Sequence, residues 1–174
     1  MIFKEWFESQ KILTKNDLMF NPEVNGLSGE YTTYGGEYDL QLMRTDEEEE
    51  IPVNGIVYDC WDYNENNDIE VYKGYTNGYI DGQKVVFYRN KNIEKISVAY
   101  KGTAIGPVIH FYENGLIKKE EFYSFGYNIL RIEYDKNKNI IEKIYNSGTS
   151  FEESLKEECP DLYKMFISKI KFFV

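Results

Sequence analysis

The stretch "YENGLIKK", residues 112–119, decides the fold. It reads as an aromatic strand end, an Asn-Gly turn and the start of a second strand. Three near-copies accompany it: "YNENNDIE" from Tyr63, "YRNKNIEK" from Tyr88 and "YDKNKNIIEK" from Tyr134. In each, a strand ends in Tyr, a polar turn follows, and an Ile restarts the chain. The restarting residues Ile69, Ile93, Ile117 and Ile140 lie 24, 24 and 23 residues apart. Each second strand closes near Tyr75, Tyr100, Tyr123 or Tyr145, with Gly78, Gly102, Gly126 or Gly148 within three residues. A period that regular is the mark of a repeat architecture.

Each copy is expected to be a β-hairpin. Asn, Asp, Lys and Gly fill the turns, where they tolerate positive φ or hydrogen-bond their own backbone. The flanks "VVFY", "VIHFY" and "LRIEY" are β-branched and aromatic, as strands prefer. One hairpin is marginal alone, so the copies should stack side by side into an open antiparallel meander of about 24 residues per repeat. Alignment on Tyr63, Tyr88, Tyr112 and Tyr134 puts Trp61, Val86, His110 and Ile132 on their face, a mostly large, apolar column expected to be packed. The opposite face would carry Asp62, Phe87, Phe111 and Glu133. It is apolar in the middle and charged at both ends, which suits a partly exposed side.

The flanks differ from the repeats. Residues 1–26 contain Ile2, Phe3, Trp6, Phe7, Ile12 and Leu13 and read as an N-terminal helical cap. Residues 27–52 read as a degenerate first hairpin, with Tyr34 and Tyr38 around Gly35-Gly36, followed by the exposed acidic loop "TDEEEE" (45–50). Residues 53–148 hold the four repeats. Residues 149–174 read as a C-terminal helical cap: Ser150 and Glu153 fit a capping box, and Pro160 fits the first turn of a second helix. There Leu162, Met165, Phe166, Ile170 and Phe173 form an apolar stripe, expected to cover the sheet rather than to meet a partner. The fold class is mainly β with terminal helices, in one domain spanning 1–174.

Composition narrows the function. Of the 174 residues, 17% are aromatic and 29% charged, too much aromatic material for a disordered chain. A net charge of −10 repels nucleic acid and anionic membranes and would steer a basic protein partner. Cys60 and Cys159 make no disulfide framework, and a reduced compartment is the simpler reading. "MIFKEWFESQ" lacks the form of a secretion signal, and no stretch approaches the roughly 18 apolar residues of a membrane span, so a cytoplasmic location is expected. His110 is the single histidine, and its plainer reading is a half-buried sheet residue. Cys60 likewise reads as a packed thiol. There is no Cys-x-x-Cys pair, P-loop, dinucleotide fingerprint or G-x-S-x-G. The expectation is therefore no catalytic residue, no cofactor and no metal.

At the repeats the sequence resembles MORN-type repeats, written approximately G-x-x-x-G-x-x-x-x-Y-x-x-N-G. It is most similar to those of bacterial YwqK-type antitoxins and immunity proteins of polymorphic toxin systems. The match rests on Gly78, Gly82, Tyr88, Gly102, Gly106, Tyr112, Asn114 and Gly115, within residues 53–148. Lys91-Asn92 stands where Asn-Gly is common, and the first repeat lacks the paired glycines. The resemblance implies an immunity protein that occludes a basic toxin domain, with carboxylates in place of substrate phosphates. Candidate contacts are Asp62, Glu65, Asp68 and Glu70, backed by Asp46, Glu47, Glu48, Glu49 and Glu50, with Tyr63, Tyr88 and Tyr112 on the sheet. The alternative is a non-enzymatic scaffold joining other proteins or sitting near a membrane.

Overall fold

The computed structural model describes residues 4–14, 26–28, 32–35, 40–44, 49–61, 68–146 and 150–170. Its elements are α1 (Lys4–Ser9), β1 (Gly26–Ser28), β2 (Thr32–Gly35), β3 (Leu40–Arg44), β4 (Glu50–Pro52) and β5 (Gly55–Cys60). Then follow β6 (Ile69–Thr76), β7 (Tyr79–Phe87), β8 (Ile93–Tyr100), β9 (Thr103–Phe111), β10 (Ile117–Ser124), β11 (Tyr127–Tyr134) and β12 (Ile140–Tyr145). Two helices close the chain, α2 (Ser150–Glu158) and α3 (Pro160–Ile170). Strands β5 to β12 pair in chain order as an eight-stranded antiparallel meander, and β1 adds to β5 in parallel.

The restarting isoleucines set the register. Ile69 stands opposite Cys60, Ile93 opposite Phe87, Ile117 opposite Phe111 and Ile140 opposite Tyr134. One residue after each of them (Glu70, Glu94, Lys118 and Ile141) is an extra, unopposed residue that bulges the strand. Three loops share one geometry. The Tyr88 N–H donates to the Asn92 carbonyl and the Lys91 N–H to the Tyr88 carbonyl, both at 2.9 Å. The same pair of bonds closes Tyr112–Leu116 and Asp135–Asn139. At the other end of the sheet the reversals are two-residue turns, Asn77-Gly78, Lys101-Gly102 and Phe125-Gly126. Both residues of each have positive φ, the type I′ geometry that matches strand twist. Neighbouring turns are stitched together: the Gly78, Gly102 and Gly126 N–H groups donate to the carbonyls of Val53, Ile80 and Ala104.

This register corrects the tyrosine alignment. The first loop opens at Trp61, whose N–H donates to the Asp68 carbonyl at 3.0 Å, and the last at Asp135. Tyr134 is therefore the counterpart of Phe111, not of Tyr112. A slip of one residue exchanges the faces of a strand. Accordingly Phe87 and Phe111, expected on the partly exposed face, line the core, while Val86 and His110 lie on the face turned away from the helices. The expected degenerate first hairpin also differs. Strands β2 and β3 do pair, but with β4 they form a separate three-stranded sheet, because β1 occupies the outer edge of β5. Glu50 belongs to β4, opposite Arg44, rather than to a loop.

The core lies between one sheet face and the helices. Tyr72, Val85, Ile96, Ile109, Glu120 and Ile132 stand directly opposite one another across six strands, all buried. Phe7 of α1 packs on Phe111, and Phe166 of α3 on Phe122, each with ring centroids 5.0 Å apart. Trp6, Ile12 and Leu13 join the N-terminal contact, where the Leu13 N–H donates to the Tyr72 hydroxyl at 3.1 Å. Leu155, Leu162 and Met165 complete the C-terminal cover. The apolar stripe of α3 thus covers the sheet, as far as Phe166; Ile2, Phe3 and Phe173 lie outside the described residues. No helix among the described residues is long and apolar enough to cross a membrane.

Candidate partner-binding face

The residues expected to meet a partner lie only in part among the described residues. Asp46, Glu47, Glu48, Asp62, Tyr63 and Glu65 lie outside the described residues. Glu49 and Glu50 are exposed beside and on β4. Asp68 precedes β6 and pairs with Lys91 at 3.1 Å, and Glu70 is the half-buried bulge residue of β6. Tyr88 and Tyr112 open consecutive loops, and both hydroxyls are used inside the fold. Tyr88 donates to the Phe111 carbonyl and Tyr112 to the Tyr134 carbonyl, each at 2.8 Å. Burial, then the nearby Glu94 and Glu113 carboxylates, push the Tyr88 hydroxyl pKa up. Cations lie over the rings of this edge: Arg89 over Trp61 at 4.9 Å, and Lys118 and Lys136 over Tyr112. Among the described residues this loop edge carries both signs of charge.

The sheet face turned away from the helices carries an array that the tyrosine alignment hid. Lys73 stands opposite Lys84, and Lys84 opposite Ser97. Two residues along, Lys95 stands opposite His110, and His110 opposite Lys119. Basic side chains therefore run across β6 to β10. Beyond them the sign changes: Glu133 is opposite Glu142, with Arg131 ion-paired to both. At the centre Glu121, only 4% exposed, accepts from His110 Nε2 at 3.0 Å and from Asn128 Nδ2 at 2.8 Å, and pairs with Lys119 at 3.2 Å. Burial pushes the Glu121 carboxyl up, but the hydrogen bonds from His110 and Lys119 outweigh it and hold the pKa below its ordinary value. Burial lowers the His110 pKa, and Lys119 and Lys95 add to this, against the raising effect of Glu121. The imidazole is consequently neutral at neutral pH. Anchoring the repeats on Ile69, Ile93, Ile117 and Ile140 is the sequence signal that would have found this face.

The covered side has a cavity of about 760 Å³ beneath the loops, lined by Phe7, Ile12, Leu13, Phe87, Ile93 and Phe111, with Asp68 and Lys91 at its rim. His110, on the other face, does not line it. Cys60 is buried in the core. No protein-family profile matches the chain, and no curated protein matches it.

Proposed function

We propose that the protein is a MORN-type repeat protein that works by binding another protein, in the role of a cytoplasmic immunity protein occluding a basic toxin domain. The observation that carries this reading is the asymmetry of the meander. One face is closed by the chain's own helices, while the other presents ordered rows of charge that the core does not use. Such a rigid, patterned surface suits recognition, where charge complementarity sets partner choice and association rate. The repeat resemblance directs it to immunity, and the charge of −10 directs it to a cationic partner such as a nuclease, which would meet the acidic end of that face at Glu133 and Glu142 rather than the lysine rows of β6 to β10. Exposed carboxylates supporting that approach are Glu49, Glu50, Glu153, Glu157 and Glu158.

The test is rescue of growth. The C-terminal domain encoded immediately upstream is expressed alone and together with this protein. Killing by the domain alone and restored growth on co-expression are expected, with weaker rescue by Glu70→Lys. A harmless domain, or killing that persists on co-expression, overturns the reading. A second reading, a scaffold that adds strands, is favoured by β12, which pairs with β11 alone among the described strands and leaves Ile140 and Ile141 57% and 62% exposed.

A further inference from the structure

We infer that the sheet face opposite the helices holds an oxyanion site, formed by Lys73, Lys84, Lys95 and the Ser97 hydroxyl, that takes one compact anion of the phosphate class. The register brings these groups together from three strands. Lys73 and Ser97 are the direct cross-strand neighbours of Lys84 on either side, and Lys95 is its diagonal neighbour, two residues from Ser97 on the same face. Directly opposed side chains have Cβ atoms about 5 Å apart and diagonal ones about 7 Å, within reach of lysine stems.

Like charges directly opposite one another destabilise a sheet, yet in a chain of 30 carboxylates to 20 lysines and arginines the described residues pair only Asp59 with this cluster. Lys73 has a distant partner in Asp59 at 3.7 Å. Lys84 and Lys95 have no ion pair among the described residues, and Ser97, 8% exposed, makes no side-chain hydrogen bond among them. Burial, then the Lys73 and Lys95 charges, lower the Lys84 pKa, the signature of an ammonium group lacking its counter-charge. A bound oxyanion would supply that charge and an acceptor for the hydroxyl.

The boundaries decide the size of the ligand. Asp59 flanks the cluster on one side, and Glu121, Glu133 and Glu142 follow on the other. A long polyanion such as nucleic acid would run onto these carboxylates and against the net charge of −10. One phosphate-sized group fits between them. The site stands on register and charge alone, so it does not depend on the identity of any protein partner.

The full chain is titrated calorimetrically with inorganic phosphate at constant ionic strength. Saturable binding is expected, weakened at least tenfold by Lys84→Gln and by Lys95→Gln and unchanged by Lys164→Gln on the exposed face of α3. A second readout uses melting. In phosphate-free buffer Lys84→Gln should melt higher than the parent chain, because repulsion is relieved, and phosphate should raise the parent's Tm more than the variant's. Ser97→Ala, with weaker phosphate binding expected, serves if the lysine variants fold poorly. Absence of saturable binding, equal affinity in the site variants, or an equal loss in Lys164→Gln would overturn the assignment.

Discussion

His110 shows how much one residue type reveals and how much it withholds. A lone histidine in a β-branched strand is legible as half-buried, and it is. Its partner Glu121 lies on the adjacent strand and becomes visible only through the bulged register that opposes His110 to Lys119. The pair makes stability depend on pH with a definite sign. For His110 the folded pKa is below the ordinary value of about 6.5. The unfolded chain therefore takes up the proton first, and stability falls as pH drops from that value toward the lower folded one. Glu121 is also depressed, so its contribution is present above the ordinary glutamate value of about 4.3 and is lost as pH falls through its folded pKa. Both effects favour neutral over acid pH, in two separate windows. Urea midpoints should fall between pH 7.5 and 5.5, and His110→Gln should flatten that first window while leaving the drop below pH 4.5. An unchanged slope in the variant would show that another group governs the upper window.

At the scale of elements, the hairpins were legible and their faces were not. The isoleucine spacing and the glycines announce strands and reversals whatever the register. The faces require knowing where each loop begins, and the first residue of the loops is Trp61, Tyr88, Tyr112 and Asp135, a position held by tyrosine in only half the cases. Lys73, Lys84 and Lys95 come from different strands, so no local pattern joins them. A strand bulge and a turn each make a sharp prediction. A methyl group on Gly74 of β6 would lie 2.6 Å from the Asp81 carbonyl oxygen, backbone that has no flexible end to move aside. Gly74→Ala should cost about 1–3 kcal/mol, as overpacking does. Lys101, at φ 48°, sits exposed in a type I′ turn that prefers Asn-Gly, so Lys101→Asn should gain up to about 1 kcal/mol by relieving left-handed strain. Chemical denaturation at neutral pH reads both, and equal stability of the two variants would refute this view of the bulge and the turn.

On the scale of the whole molecule, an open meander must end somewhere, and its last strand is a liability. β12 pairs with β11 alone among the described strands and exposes Ile140, Ile141 and Ile144 at 57%, 62% and 37%. Two-fold antiparallel pairing of β12 with its copy is restricted by geometry. Directly opposed residues must both be hydrogen-bonded or both not, so the symmetry axis passes through a residue rather than between two. The two registers that pair most of β12 are centred on Glu142, which sets glutamate against glutamate, and on Lys143, which sets lysine against lysine, both destabilising; centres on Ile141 or Ile144 avoid like charges but pair only a short part of the strand. The strand is thus apolar enough to accept a partner's strand and charged so as to oppose its own copy in the two longest registers. The chain alone should sediment as a monomer at tens of micromolar. Glu142→Thr removes the first of the two barriers and adds a β-favouring side chain, so that variant should dimerise, and adding Ile141→Lys should return it to monomer. A parent chain that already dimerises through this edge, or a Glu142→Thr chain that stays monomeric, would mean that the charges do not guard it.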